Sequence, residues 1–301
     1  MRMLDFTVII VVLLTQSVAL AQQSGASLLE RLGHPKTAKL LIIHADDIGM
    51  SHSVNMASFE ALQKGWVSSG SIMVPCPWFN EAAEFARQHP ELDLGLHLTL
   101  TSEWQNYRWG PVRKKDVASL LDEEGFFPRD TSGIGTKAIA SEAAGEIAAQ
   151  VARAKSAGIR FTHLDNHMGA FSQNAALFRA YVELGRSASV PVSFSRGEVS
   201  GYAGEVNVRE LPMPTGLQLE ESGNLLQRYR EYFSALGPGV YIMVVHLGHD
   251  DSELRAIMRN DAGTAAGRQR DYDLVSNPEF HQILGENGIQ LIGWKDLTER
   301  H

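Results

Sequence analysis

Four separate stretches of the chain carry side chains able to do hydrolytic chemistry. They are Asp46-Asp47, His97 within Gly95-Leu96-His97-Leu98-Thr99-Leu100, His163-x-Asp165-x-His167, and His246. Histidine and aspartate are costly to bury unless they are paired or hold a metal. One such residue in an apolar setting is ordinarily structural, but four elements each delivering one favour a shared centre. His163, Asp165 and His167 alternate as residues on one face of an extended chain do. That series suits metal ligation with a carboxylate fixing an imidazole tautomer. Adjacent carboxylates on a strand point to opposite sides. Asp46 and Asp47 therefore share a site only if the turn begun by Ile48-Gly49 redirects one of them, one serving as ligand and the other as base. The alternative is that one of the two caps the following helix, a task Ser51 or Ser53 can perform instead. His246, followed by Leu247-Gly248-His249-Asp250-Asp251, is placed to donate a proton to a leaving amine.

These groups need a scaffold that converges them. Apolar runs of strand length recur along the chain: Lys39–Ala45, Ser69–Val74, Leu92–Leu100, Arg160–Leu164, Val190–Phe194, Val240–His246 and Ile289–Ile292. Helical spacing falls between them, at Ser53–Lys64, Asn80–Gln88 (capped by Asn80), Thr136–Ala157, Ala175–Gly185, Asn224–Leu236 and Asn277–Asn287. Alternation of this kind implies an α/β fold with a parallel sheet of about seven strands, an open or imperfect (β/α) barrel. Every candidate group lies within or just beyond the end of an expected strand, and in such folds those ends meet at one mouth. Ser102–Ile134 lacks periodicity and carries Trp104, Tyr107, Trp109, Phe126 and Phe127. It reads either as a substrate wall or lid, or as a structural insertion.

Composition narrows the class. The chain has 301 residues, 44% hydrophobic, with a net charge of -8 and no dense Lys/Arg run, which argues against nucleic acid as a partner. Arg2, the apolar run Phe6–Leu14 and the small-x-small signal Ala19-Leu20-Ala21 read as a signal peptide over residues 1–21. The run is too short for a comfortable membrane span, so the expected product is exported, periplasmic or extracellular, with no stable membrane insertion after cleavage; the alternative reading is an uncleaved anchor. Residues 22–38 read as a leader containing one amphipathic piece, Ala26–Leu32, and 39–301 as a single domain. The lone cysteine, Cys76, is expected to be buried and inert. Nothing in the composition excludes an oligomer.

Ile43-His44-Ala45-Asp46-Asp47-Ile48-Gly49-Met50-Ser51, Gly95-Leu96-His97-Leu98-Thr99 and Thr162-His163-Leu164-Asp165-Asn166-His167 together resemble the YdjC-like carbohydrate deacetylases of the ChbG/HpnK type, from about Leu40 onward. The resemblance implies a distorted (β/α) barrel related to NodB-type polysaccharide deacetylases. It implies one divalent cation held by Asp47, His97 and His167, with Asp46 as general base and His246 as candidate acid. Two histidine nitrogens favour Zn2+ or another transition metal, and the resemblance also allows Mg2+. Met168-Gly169 and Leu247 stand where many relatives have further histidines and a proline. Those departures bear on the substrate and the acid rather than on the cation site. The expected reaction is removal of N-acetyl groups from an amino sugar or its oligosaccharides. Trp78, Trp104, Tyr107 and Trp109 are candidate stacking platforms, and Arg196 and Arg268 or Arg270 candidate substrate contacts. Phosphoester hydrolysis and a non-catalytic carbohydrate-binding role are the rival readings. A serine hydrolase is disfavoured because no Gly-x-Ser-x-Gly elbow occurs.

Overall fold

The structure, a computed structural model, describes residues 27–202, 213–217, 224–259 and 262–297. The signal-peptide expectation therefore lies outside the described residues. Of the leader, the amphipathic piece forms a one-turn helix, α1 (Leu28–Arg31), capped by Ser27, and Leu29 and Leu32 are buried in the core.

Seven strands follow: β1 (Lys39–Ile48), β2 (Ser69–Ile72), β3 (Leu94–Leu98), β4 (Leu164–Asn166), β5 (Thr215–Gly216), β6 (Gly239–Val245) and β7 (Ile289–Leu291). All pair in parallel, in the order β4-β3-β2-β1-β6-β5. One edge of β1 is divided, its first residues pairing with β7 and its last with β2. Among the described residues β4 and β5 do not pair, so the distorted barrel stays open. The helices are α2 (His52–Gln63), α3 (Phe79–Gln88), α4 (Thr131–Lys137), α5 (Ala140–Ser156), α6 (Ala175–Ala188), α7 (Leu225–Ala235), α8 (Ser252–Ile257), α9 (Ala262–Val275) and α10 (Pro278–Glu286). None of the described helices is long and apolar enough to cross a membrane.

Three expectations change. Val190–Phe194 contributes only a single parallel bridge, Leu164 to Val192, because Pro191 has no N–H to continue a ladder. The seventh strand is instead the short β5. The long helix expected over Thr136–Ala157 is two helices, broken where Ala138 and Ile139 are extended and the Ile139 N–H donates to Ser119 Oγ. Asn80 lies inside α3, whose N-cap position is Trp78.

Register explains how the sheet is both apolar and chemically equipped. Residues paired across parallel strands share a face. His44 pairs with Ser69, Gly95 with Ser71, and His97 with Asp165. One face therefore carries His44, Ser69, Ser71, His97, His163 and Asp165 into the barrel. The other carries Leu41, Ile43, Ile72, Leu96 and Leu164 toward the helices, and all are fully buried. A continuous apolar run thus describes only the helix-facing side and the lower half of β1.

Candidate metal centre and catalytic mouth

Asp46 and Asp47 reach the mouth together through a β-bulge. Between the pairs Ala45–Gly70 and Ile48–Ile72, β1 holds two residues, Asp46 and Asp47, against Ser71 alone on β2. Asp47 takes φ 64 there, a left-handed conformation that aspartate tolerates better than most residues. Gly49 follows at φ 96, and its N–H donates to Asn55 Oδ1 at 2.5 Å. Ser51 caps α2, its Oγ accepting from the Val54 N–H at 3.2 Å. Neither aspartate is spent on capping.

The two oxygens of each aspartate have different surroundings. Asp46 Oδ1 lies 3.1 Å from His44 Nε2 and accepts from Ser71 Oγ at 3.5 Å. Its Oδ2 lies 3.8 Å from both His97 Nε2 and His246 Nε2. Asp47 Oδ2 accepts from Arg268 Nη2 at 2.5 Å. Asp47 Oδ1 is buried with no hydrogen-bond partner, 3.5 Å from His97 Nε2 and 3.8 Å from His167 Nε2. Burial opposes ionisation of Asp47, but the Arg268 guanidinium and the His246, His167 and His97 imidazoles outweigh it, holding its carboxyl well below the usual carboxylate range.

Each imidazole is fixed from behind. His97 Nδ1 lies 2.6 Å from Asp165 Oδ2, and Thr101 Oγ1 lies 2.8 Å from His167 Nδ1. Both Nε2 atoms are left facing Asp47 Oδ1, so these three donor atoms lie within 4.8 Å of one another. Burial opposes protonation of His97, yet Asp46, Asp165 and Asp47 push its pKa up to about 9. The acidic surroundings thus draw a positive charge to this spot, a proton or a cation that replaces it. The orphaned, ionised Asp47 Oδ1 between two outward imidazole nitrogens fits a divalent cation, with open positions on the cavity side.

His44, Asp46 and Asp165 form a second group of comparable compactness. Here the hydrogen bonds close: His44 Nδ1 lies 3.1 Å from Ser69 Oγ, and Nε2 lies 3.1 Å from Ser71 Oγ and 3.5 Å from Asp165 Oδ2. Burial opposes protonation, but Asp165 and Asp46 raise the His44 pKa to about 10. An imidazolium between two carboxylates satisfies this group without a metal.

A cavity of about 770 Å³ opens above the centre, a size typical of small-ligand sites. Asp46, Asp47, His97, His167, His246, Trp104, Arg268 and Arg270 line it, so the structure brings these candidates together around one space. His246 is half-exposed, and its backbone N–H donates to Asp271 Oδ2 at 2.8 Å. His163, Asp165 and Arg196 do not line the cavity; Asp165 acts behind it, against His97 and His44. His163 faces inward but lies two residues deeper than Asp165, roughly 7 Å along the strand. It stacks on Trp294 with its Nδ1 3.4 Å from Asp93. A Cβ at Gly95 would strike its ring, which is why glycine precedes the Leu96-His97 pair. Arg196 is exposed, because the chain leaves the sheet after its single bridge; Glu198 lines the cavity instead.

The aromatic excursion after β3 divides by role. Trp109 and Phe127 are core residues, and the Tyr107 hydroxyl donates to the Met50 carbonyl. Trp78 is partly exposed against His52 and lies outside the cavity. Only the start of the loop, Glu103-Trp104, forms cavity wall. Glu103, Thr101 and His44 received no role from sequence. A period-2 extrapolation from Asp46 would have found His44 on the same face. Cys76 is buried, and burial, with Glu103 and Asp47 nearby, pushes its thiol well up.

The sequence matches the YdjC-like protein family over residues 40–286. A carbohydrate deacetylase of Thermus thermophilus is 34% identical over 282 residues, covering 90% of this chain and 98% of its own length. One from Thermoanaerobacter pseudethanolicus is 32% identical over 268 residues, covering 86% and 99%. A crystal structure of an Enterococcus faecalis V583 protein superposes with a TM-score of 0.74 at 27% identity, over 87% of this chain and 99% of that one. The fold and site define an open (β/α)-barrel protein whose mouth gathers aspartate and histidine side chains in a cluster that fits a divalent cation. The chain belongs to the YdjC-like family.

Proposed function

We propose that the protein is a metal-dependent carbohydrate deacetylase that hydrolyses N-acetyl groups on amino sugars or their oligosaccharides. The observation that carries this reading is the division of labour at the bulge. Asp47 offers an orphaned oxygen to the two imidazoles, while Asp46 keeps one oxygen anchored and one free beside them. The relatives named carbohydrate deacetylases support the substrate class.

Asp47, His97 and His167 would hold the cation, Mg2+ or Zn2+. Bound there, it supplies Lewis-acid chemistry, polarising an acetyl carbonyl and acidifying water. Asp46 Oδ2 is placed to take the proton from the attacking water, because His44 and Ser71 fix its other oxygen. His246, across the same oxygen at 3.8 Å, is placed to protonate the departing nitrogen, without which the amine would be too poor a leaving group. Asp165 beside His97 Nδ1 and Thr101 beside His167 Nδ1 orient the two rings so that each Nε2 points toward Asp47. Arg268 restrains Asp47 from behind, leaving Arg270 and Trp104 as substrate-side groups.

The test is acetate release from a panel of N-acetylated sugars, with chelator, add-back of Mg2+ or Zn2+, and a His97→Ala control. Expected are activity abolished by chelator, restored by one ion, and absent in the variant. Phosphate release from sugar phosphates without acetate release would favour the phosphoester reading instead. For location we propose export, supported by Arg2, Phe6–Leu14 and Ala19-Leu20-Ala21. A mature protein starting at Gln22 in the extracytoplasmic fraction is the expected result.

A further inference from the structure

Directly after His167 the backbone turns left-handed twice, at Met168 (φ 54, ψ 17) and at Gly169 (φ 68, ψ 23). Glycine adopts that conformation freely, whereas a methionine in it is strained. The turn is pinned by its flanks. Asn166 Oδ1 accepts from the Phe171 N–H at 3.0 Å, and Asn166 Nδ2 donates to Ser172 Oγ at 3.1 Å. Gln173 Nε2 donates to the Gly169 carbonyl at 3.1 Å. His167, Ala170, Phe171 and Ser172 are buried, while Met168 is 47% exposed and lines the catalytic cavity.

Backbone strain persists only where the surroundings enforce it, and it gathers at ligand sites. A lone exposed apolar side chain is ordinary on an outer surface. This one stands inside the catalytic cavity. Among the described residues that line it, Trp104 and Met168 are the two large apolar side chains; the others are charged, polar or glycine. Small-ligand sites are lined mainly by apolar groups with a few polar ones, so apolar contact surface is scarce here and Met168 supplies much of it. The two residues stand on neighbouring loops, beyond the paired strands β3 and β4. A pyranose ring carries its hydroxyls around the edge and presents C–H groups on its faces. The polar walls suit the edge, and an unbranched, polarisable thioether adapts to a face. Resting on the deacetylase reading above, we infer that Met168 is the apolar wall of the sugar site. Its side chain packs on a C–H face of the amino-sugar ring whose acetamido group reaches the aspartate–histidine cluster. It binds through contact area, without charge or hydrogen bonding.

The experiment measures kcat and KM for acetate release from the methyl glycoside of N-acetylglucosamine, with metal content, for wild type, Met168→Asn and Met168→Leu. Asparagine suits a left-handed backbone and removes the apolar surface; leucine keeps an apolar side chain of like volume and gains nothing in backbone comfort. Met168→Asn is expected to raise KM about fivefold at unchanged kcat, the signature of lost ground-state contact. Met168→Leu is expected to raise it less than about twofold, and both should keep their metal content. A role confined to shaping the turn gives the opposite order, with leucine the more harmful replacement. That order, equal effects of the two variants, an unchanged KM in Met168→Asn, or a change accounted for by missing metal would each overturn the assignment while leaving the deacetylase reading intact. A wild type that releases acetate from no N-acetylated sugar overturns the deacetylase reading itself, and this assignment with it.

Discussion

At the floor of the barrel, Asp93 accepts from Ser69 Oγ at 3.0 Å, Thr162 Oγ1 at 2.7 Å and the Lys295 N–H at 2.7 Å, with His163 Nδ1 at 3.4 Å. At the mouth, Asp47 has one oxygen on Arg268 and the other on nothing. Both regions are built from aspartate and histidine on the same inner face of the same strands, and both are buried. The floor's own unpartnered atoms, His163 Nε2 and the Trp294 indole nitrogen, are neutral, since burial lowers the His163 pKa. At the mouth Asp47 Oδ1 is a charged oxygen left without a partner, and its unmet desolvation is far larger than that of a neutral atom. Residue type and burial do not separate a structural aspartate from a functional one. Closure of the hydrogen bonds around the charge does.

That contrast breaks most sharply at Asp46. Replacing it with asparagine keeps shape and hydrogen bonding to Ser71 but removes the base. Turnover is expected to fall about 10²–10⁴-fold, with metal content close to wild type. Near-full acetate release by Asp46→Asn would place the base elsewhere. A smaller effect is expected one layer back, at Thr101. Thr101→Val is nearly isosteric and deletes the group that fixes His167, so metal affinity should weaken about 10–100-fold. Competition with a fluorescent chelator measures it. Unchanged affinity would mean that packing alone orients the ring.

How much of this could be read beforehand varied with the kind of signal. Three strands carrying the site were legible as apolar runs, with Asp46, Asp47 and His246 at their ends and His97 within one; the fourth, expected at Arg160–Leu164, shares only Leu164 with β4, because its polar residues face into the barrel. The bulge was not: period-2 alternation places Asp46 and Asp47 on opposite faces, and only the extra residue opposite Ser71 with Asp47 at φ 64 brings them together. Asp165 and His163 share a face, yet a face has depth, and sequence spacing does not say that His167 alone of the series reaches the cavity while Asp165 stops behind His97. Arg268 was named as a substrate contact, but its grip on Asp47 was invisible. Helix α9 that delivers it has no apolar stripe, since Gly267, Gln269, Arg270 and Asp271 surround it, and nothing local marks that segment as a helix returning to the mouth. Arg196 failed for the converse reason. It follows an apolar run that reads as a strand, but a proline inside the run limits its pairing to one bridge.

Asp93 offers the converse test, an effect on stability without one on chemistry. Burial opposes its ionisation, but His163, the Lys295 N–H and Thr162 together hold its carboxyl at about 2 against an ordinary 3.8. That gap corresponds to about 2 kcal/mol of stabilisation of the folded state. A depressed carboxylate contributes fully above its unfolded pKa and loses its contribution as pH falls through the folded one. Asp93→Asn should therefore unfold at lower urea than wild type at pH 6, by about 2 kcal/mol. The difference should shrink as pH drops below about 4 and vanish near pH 2. Activity per folded molecule should stay near wild type, because Asp93 touches neither the cavity nor any residue that lines it. A variant that keeps its stability but loses turnover would move Asp93 from the floor into the catalytic apparatus, and the distinction between closed and open charges would no longer sort the two ends of the barrel.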